Sequence, residues 1–440
     1  MTKILNVVIM KNSMQKNKDI FNQVINQCLI FGIFISALGF LTDFDNTIKF
    51  AGNDLRTRVV GARLLINQFD PYFFKWNEDI SDVYLDPGDS PYSPVSRVTV
   101  TPTVLIIHSI AAKLPYKLQR VLWFIIQWVL FLMTLLLFSK STISNSKSKL
   151  IWIIGLFFIS GSFFWRLHVE RGQIYILYVF LITLSYWLLQ KEFKHSVIFS
   201  GILIGLTVSL YPLVILMFIP MIVYKKWKLL LANIIGLQSG LSISIILTDI
   251  GLWRKYISSL YIHSKMYLGI IDYYGFYSKF DAEGMKNFFI WNFLPSFDAS
   301  LQKVIKKLTG INLSLNFILT FSALFLVFII LFLYFSRHKN ISMNKLFLIG
   351  ITIVYVIEFL LPMERLSYND VIWIIPLSLI ISNCDLRKLL LRPSTVLLVI
   401  GLIFSTSFHL LPYSGLICHY SILFYTALTT LLVIRSRFYL

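Results

Sequence analysis

A chain of 440 residues that is 57% hydrophobic and only 14% charged, with a mean hydropathy of +0.74, is not a soluble domain, because soluble domains run near a quarter charged. Its long apolar runs match helices sized to a ~30 Å hydrocarbon core, and they exclude a β-barrel, whose short segments alternate in polarity. The net charge of +19 lies mostly in short loops between those runs, where the positive-inside rule places it, so nucleic acid is excluded as a partner and membrane lipid is not.

The expected fold is all-α: a polytopic integral membrane protein of about 12 transmembrane helices, forming one domain over 1–440, with outer-surface loops and interfacial helices. Lys3, Lys11, Lys16 and Lys18 hold the N-terminus inside, and Met1 to Gln27 with the following apolar run reads as an uncleaved signal anchor. The first span covers about 22–42 and opens a first outer loop, 43–118, whose residues 43–98 carry nine acids and six basic residues. Within it, 101–114 is too short to span and reads as an interfacial helix.

Spans follow at 119–138, 150–165 and 174–190. Residues 196–224 are flanked by lysines at both ends, which requires two short crossings broken near Tyr211-Pro212. A span at 229–248 leads to a second outer loop, 249–313. Spans at 314–335 and 345–361 flank Arg337, Lys339 and Lys345, and a tight outer turn occupies 362–370. Residues 371–382 return to Arg387 and Lys388, and spans at 394–411 and 419–434 end before Arg435 and Arg437. The charged clusters other than simple lysine loops then all fall on the outer side, which suggests a site there.

Cys28, Cys384 and Cys418 are far apart and lack CxxC spacing, so they form neither a disulfide framework nor a metal site. No HExxH, GxSxG or P-loop pattern occurs, which removes support for proteases, serine hydrolases and NTPases. Asp54 with Arg56, Arg58 and Arg63 admits two readings. Asp54 and Arg58 are i,i+4 neighbours suited to a solvated ion pair. Alternatively, Asp54 is a carboxylate poised as general base on an acceptor hydroxyl, with Asp43 and Asp45 as rivals. Arg166, His168, Glu170 and Arg171 form a dense cluster suited either to interfacial snorkelling or to clamping an anion. Glu364 and Arg365 in the outer turn raise the same choice.

The pattern resembles the GT-C superfamily of membrane glycosyltransferases, and within it glycosyltransferase family 87. The resemblance rests on Asp54, Gly61-Ala62-Arg63-Leu64-Leu65 and Asp70-Pro71-Tyr72 after the first helix, then Tyr92-Ser93-Pro94 and Thr101-Pro102. It continues through Gly172-Gln173, Gly201 to Leu206 running into Tyr211-Pro212, the basic Lys225-Lys226-Trp227-Lys228, and a Pro-led outer turn near 362. It implies transfer of a hexose or pentose, mannose-like by preference, from a polyprenyl-phosphate donor to a lipid or glycan acceptor on the outer face of a bacterial cytoplasmic membrane. Carried over by position, Asp54 is the catalytic base.

Arg56, Arg58, Arg166, His168, Arg171 and Arg365 are then expected on the donor phosphate, and Tyr72, Tyr92, Gln173, Tyr211, Glu364 and Tyr368 in the acceptor pocket. No cofactor or metal ligand is assigned, and a divalent cation stays open. Where many relatives have a lysine at the break this chain has Tyr211, and where actinobacterial mannosyltransferases have histidines in the late turn it has Glu364, Arg365, Ser367 and Tyr368. A lipid-linked sugar flippase and an O-antigen polymerase or ligase are the competing readings. Against the first, the charges sit at span ends and no internal repeat is evident. Against the second, the large loop comes early.

Overall fold

The computed structural model describes residues 2–142, 144–191, 193–271, 298–337, 341–385, 391–406 and 413–435, with side chains of the first helix from Asn22 onward. Among the described residues the fold is all-helical, with one isolated bridge, Asp298 to Leu366, and no strand. By length and apolarity six helices can cross a membrane: Asn22–Lys49 within α1 (Thr2–Lys49), α4 (Tyr116–Lys140), α10 (Trp227–Leu247), α13 (Leu315–Phe335), α14 (Met343–Leu360) and α17 (Ser414–Arg435). A seventh span results if Asn145–Ile159 and α6 (Phe163–Arg171), bent by 70°, are counted together, and four shorter apolar helices stand beside them. The chain is therefore a membrane protein of helical class.

Several boundaries differ from the sequence reading, each for a physical reason. The first helix does not stop at 42 but runs to Lys49. Asp43, which reads as a water boundary, is buried inside it because Arg166 lies 2.9 Å away and Trp128 Nε1 donates to it at 3.2 Å. A paired carboxylate need not end a helix. Asp45 stays at the surface with Lys49. Residues 166–171 are the last turns of α6 rather than a loop. The region 249–313 holds two helices, α11 (Ile250–Tyr267) and α12 (Leu301–Thr309), while its residues 272–297 lie outside the described ones, as do Lys339, Arg387, Lys388 and Arg437.

Other expectations hold closely. The 101–114 segment is a short helix, α3 (Pro102–Ser109), capped by Thr101 and followed by turns. The break at Tyr211-Pro212 separates α8 (Ser196–Leu210) from a 3₁₀ turn, Pro212–Met217, and α9 (Phe218–Val223), with Tyr211 itself extended. Proline lacks the N–H that would continue the ladder.

Helices α8 and α10 approach closely at glycines, Gly201 meeting Ala232, Gly205 meeting Asn233, Gly236 meeting Ile202 and Gly240 meeting Ser209. A Cβ on Gly205 would lie 2.0 Å from the Asn233 carbonyl oxygen, and one on Gly236 2.2 Å from that of Ile202. Without a hydrophobic drive between helices in lipid, such close backbone approach supplies the attraction. The main apolar core gathers Phe131, Trp165, Val179, Met217, Tyr355 and Trp373 in the middle of the bundle. A smaller one, Leu55, Val59, Val104, Trp123, Tyr178 and Leu210, lies directly behind α2 (Asn53–Ile66) and fixes the helix that carries Asp54.

Candidate active site

The exit of α1 sets the site. Arg120 on α4 donates to the carbonyls of Ala51, at 3.1 Å, and Ile48, at 2.8 Å, capping the open end of α1. The chain then reverses at Gly52, whose φ of +99° suits glycine, with Gly52 N donating to Glu170 O at 2.6 Å. This places Asp54 in the first turn of α2, where a carboxylate also meets the positive end of the helix dipole.

A second turn meets it from α6. Gly172, at φ +69°, closes that helix: Gln173 N donates to His168 O and Gly172 N to Val169 O, both at 2.9 Å, the paired bonds of a Schellman cap. The Gly172 carbonyl accepts from Trp123 Nε1 at 2.8 Å and from Arg58 Nη2, and this anchors Gln173 so that its Nε2 donates to Asp54 Oδ2. Arg171 Nη1 stands 3.6 Å from the same oxygen, over the ring of Tyr368, while its buried Nε has no hydrogen-bond partner among the described residues.

On the other side, Arg97 Nη2 lies 3.2 Å from Asp54 Oδ1 and Arg97 Nη1 lies 3.2 Å from Asp86 Oδ1. Asp86 is itself held by Thr57 Oγ1 at 2.8 Å and by Gly88 N. Asp54 is thus flanked by two guanidinium groups and an amide, yet 16% of its side chain stays open to solvent. Glu364 approaches from the late turn. Its side chain is exposed, and its carboxyl titrates above the ordinary range, from desolvation by the surrounding protein first and from Asp298 next.

Asp54, Arg171, Gln173, Glu364 and Tyr368 therefore come together, and the other expected residues stand apart. Arg58 does not pair with Asp54 along the helix, because it lies on the buried face of α2 and turns to Gly172. Arg56 donates to the carbonyls of Leu85 and Asp82 and covers the Tyr116 ring. Arg63 ties α2 to the carbonyls of Ala112, Val83 and Leu114.

Arg166 is held by Asp43 and by the carbonyls of Gly39 and Ser160. His168 is fully buried, stacks on Trp165, and accepts from Ile176 N at 3.3 Å. Tyr72 is fully buried with its hydroxyl on the Val100 carbonyl at 2.9 Å, whereas Tyr92 is 74% exposed.

Arg365 belongs to a second, buried polar group. Its Nη1 lies 2.7 Å from Asp370 and 3.1 Å from His419 Nδ1, and its Nε lies 3.3 Å from Glu358. Glu358 Oε1 accepts from Tyr211 at 2.7 Å and from Asn369 at 3.2 Å. Glu358 and His419 were legible as ionisable residues inside apolar runs, a pattern that marks functional or structural polar sites in membranes. Arg97 and Asp86 gave a weaker signal, lying in a loop with many charges. Among the described residues no group of three or more metal-ligating side chains occurs.

The profile described as Glycosyltransferase family 87 matches residues 99–357, more than half of the chain. The matched stretch contains Arg171, Gln173 and Tyr211 and lies between Asp54 on one side and Glu364 on the other. No curated protein and no solved structure matches the chain.

Proposed function

Since the chain belongs to glycosyltransferase family 87, we propose that it moves a sugar, mannose by preference, from a polyprenyl-phosphate donor to a lipid or glycan acceptor at the outer face of a bacterial cytoplasmic membrane. Asp54 is the general base. It takes the proton of the acceptor hydroxyl as that oxygen bonds to the sugar C1, and the C1–O bond to phosphate breaks with its electron pair leaving on the lipid phosphate. Arg171, whose Nε has no hydrogen-bond partner among the described residues, meets the charge developing on that phosphate. Arg97 and Gln173 orient the carboxylate. Glu364 and Tyr368 line the sugar or acceptor side.

The observation that carries this reading is the partly open carboxylate of Asp54 between two arginines, on the helix that follows the first span. The test uses purified protein in nanodiscs with radiolabelled polyprenyl-phosphate mannose, glucose and arabinose and a native lipid extract. Transfer of label to a lipid-soluble product by the wild type, lost in Asp54→Asn, supports the proposal and names the donor. Undiminished turnover in Asp54→Asn removes Asp54 from the base role, and movement of carrier lipid between leaflets without turnover favours a flippase.

A further inference from the structure

Helix α12 is short, basic and poorly covered. Lys303, Lys306 and Lys307 are exposed, and beside them Leu308 is 78% and Ile311 58% exposed. Among the described residues no carboxylate pairs with any of the three lysines. Two of them lean instead on aromatic faces, Lys303 at 5.1 Å from the Tyr267 ring and Lys307 at 4.3 Å from that of Tyr413.

The position of α12 is constrained at both ends. At its start, Gln302 Nε2 donates to Leu361 O at 2.8 Å and Ala299 N donates to Arg365 O at 2.9 Å, which fastens it to the turn that carries Glu364. At its end, Gly310 and Ser314 lead directly into α13. That helix is long and apolar enough to cross a membrane and leaves Phe317, Phe321, Leu324 and Phe328 exposed. Helix α12 therefore joins, through residues 310–314, a helix long and apolar enough to cross a membrane, with its three lysines and two exposed apolar side chains beside that start.

We propose that α12 is a binding surface for anionic phospholipid headgroups, with Lys303, Lys306 and Lys307 on the phosphates and Leu308 and Ile311 in the acyl region. Three lysines without a carboxylate partner among the described residues, beside exposed apolar side chains, complement such a surface in charge and polarity, each lysine contributing roughly fivefold to local lipid enrichment. Through Gln302 and Ala299, the seating of α12 also steadies the turn around Glu364.

The test reads lipid contact and not sugar transfer, so its outcome is independent of the proposed reaction. The full chain carrying Leu308→Cys, with the exposed Cys28 replaced by serine and the buried Cys384 and Cys418 kept, is labelled with a fluorophore. It is reconstituted in nanodiscs of phosphatidylcholine with or without phosphatidylglycerol and a lipid quencher on the acyl chain. The expected result is stronger quenching with phosphatidylglycerol, reduced by salt and lost in Lys303→Gln/Lys306→Gln/Lys307→Gln. Lys306→Gln alone, which removes one exposed charge from an intact fold, gives a partial loss. Equal quenching in the two compositions, or quenching unchanged in the triple variant, overturns the proposal.

Discussion

Arg97 bridges two carboxylates, with Nη2 3.2 Å from Asp54 Oδ1 and Nη1 3.2 Å from Asp86 Oδ1. One guanidinium thereby fixes the rotamer of Asp54 and offsets the charge of both acids, which a single-point ammonium cannot do.

Arg97→Gln is expected to lower kcat on the order of 100-fold through misplacement of the carboxylate, with the KM for donor nearly unchanged. Arg97→Lys should recover part of that loss. Arg171→Ala should instead raise the donor KM, as expected of the residue proposed to meet the leaving phosphate. Steady-state kinetics with varied donor separate the two patterns, and a rise in donor KM for Arg97→Gln would place Arg97 on the donor.

The group of Glu358, Arg365, Asp370 and His419 is buried, so removing its cation leaves two uncompensated carboxylates. Arg365→Met is expected to cost roughly 3–5 kcal/mol of stability, read by thermal or detergent unfolding. Adding Glu358→Gln and Asp370→Asn should recover much of it, since buried charges are costly chiefly when unpaired. A small loss in the single variant would mean that water reaches the group.

At the α8–α10 contact, Gly205→Val is expected to destabilise the protein by roughly 1–3 kcal/mol, because there is no room for a Cβ against the Asn233 carbonyl. Ser239→Val, exposed on the same α10, should be close to neutral in the same unfolding assay. Equal effects would show that the two helices do not pack this way.

His263 Nε2 lies 3.0 Å from the Ser96 carbonyl, and burial lowers its titration to about 4 from 6.5 against the opposing pull of that hydrogen bond, with Lys75 and Arg97 adding to the lowering. As that carbonyl cannot donate, the neutral ring donates to it. A depressed folded value means that the unfolded chain takes up the proton first as pH falls. The stabilisation is therefore complete above pH ~6.5 and lost progressively toward pH ~4. Asp89, raised to about 6 by burial despite Lys75, acts in the opposite sense over the same range, so the comparison must be between variants. The melting temperature of His263→Asn should fall less between pH 7 and 4.5 than that of the wild type. Parallel curves would remove His263 from the pH dependence.

The sequence by itself determined the helical membrane class, the break at Tyr211-Pro212 and the short helix after Thr101. These follow from local features, since apolar run length, proline chemistry and the polar ends of runs are all properties of neighbouring residues. Tertiary structure alone decided which cation serves which anion. Asp54 takes Arg97 and Arg171 and leaves Arg58, four residues away, to the Gly172 carbonyl. Arg166 joins Asp43, and Arg365 turns inward to Glu358 and Asp370. A guanidinium on a long side chain reaches whatever acceptor the packing of distant helices brings to it, and in a buried site an ion pair must form with that partner or the charge stays uncompensated.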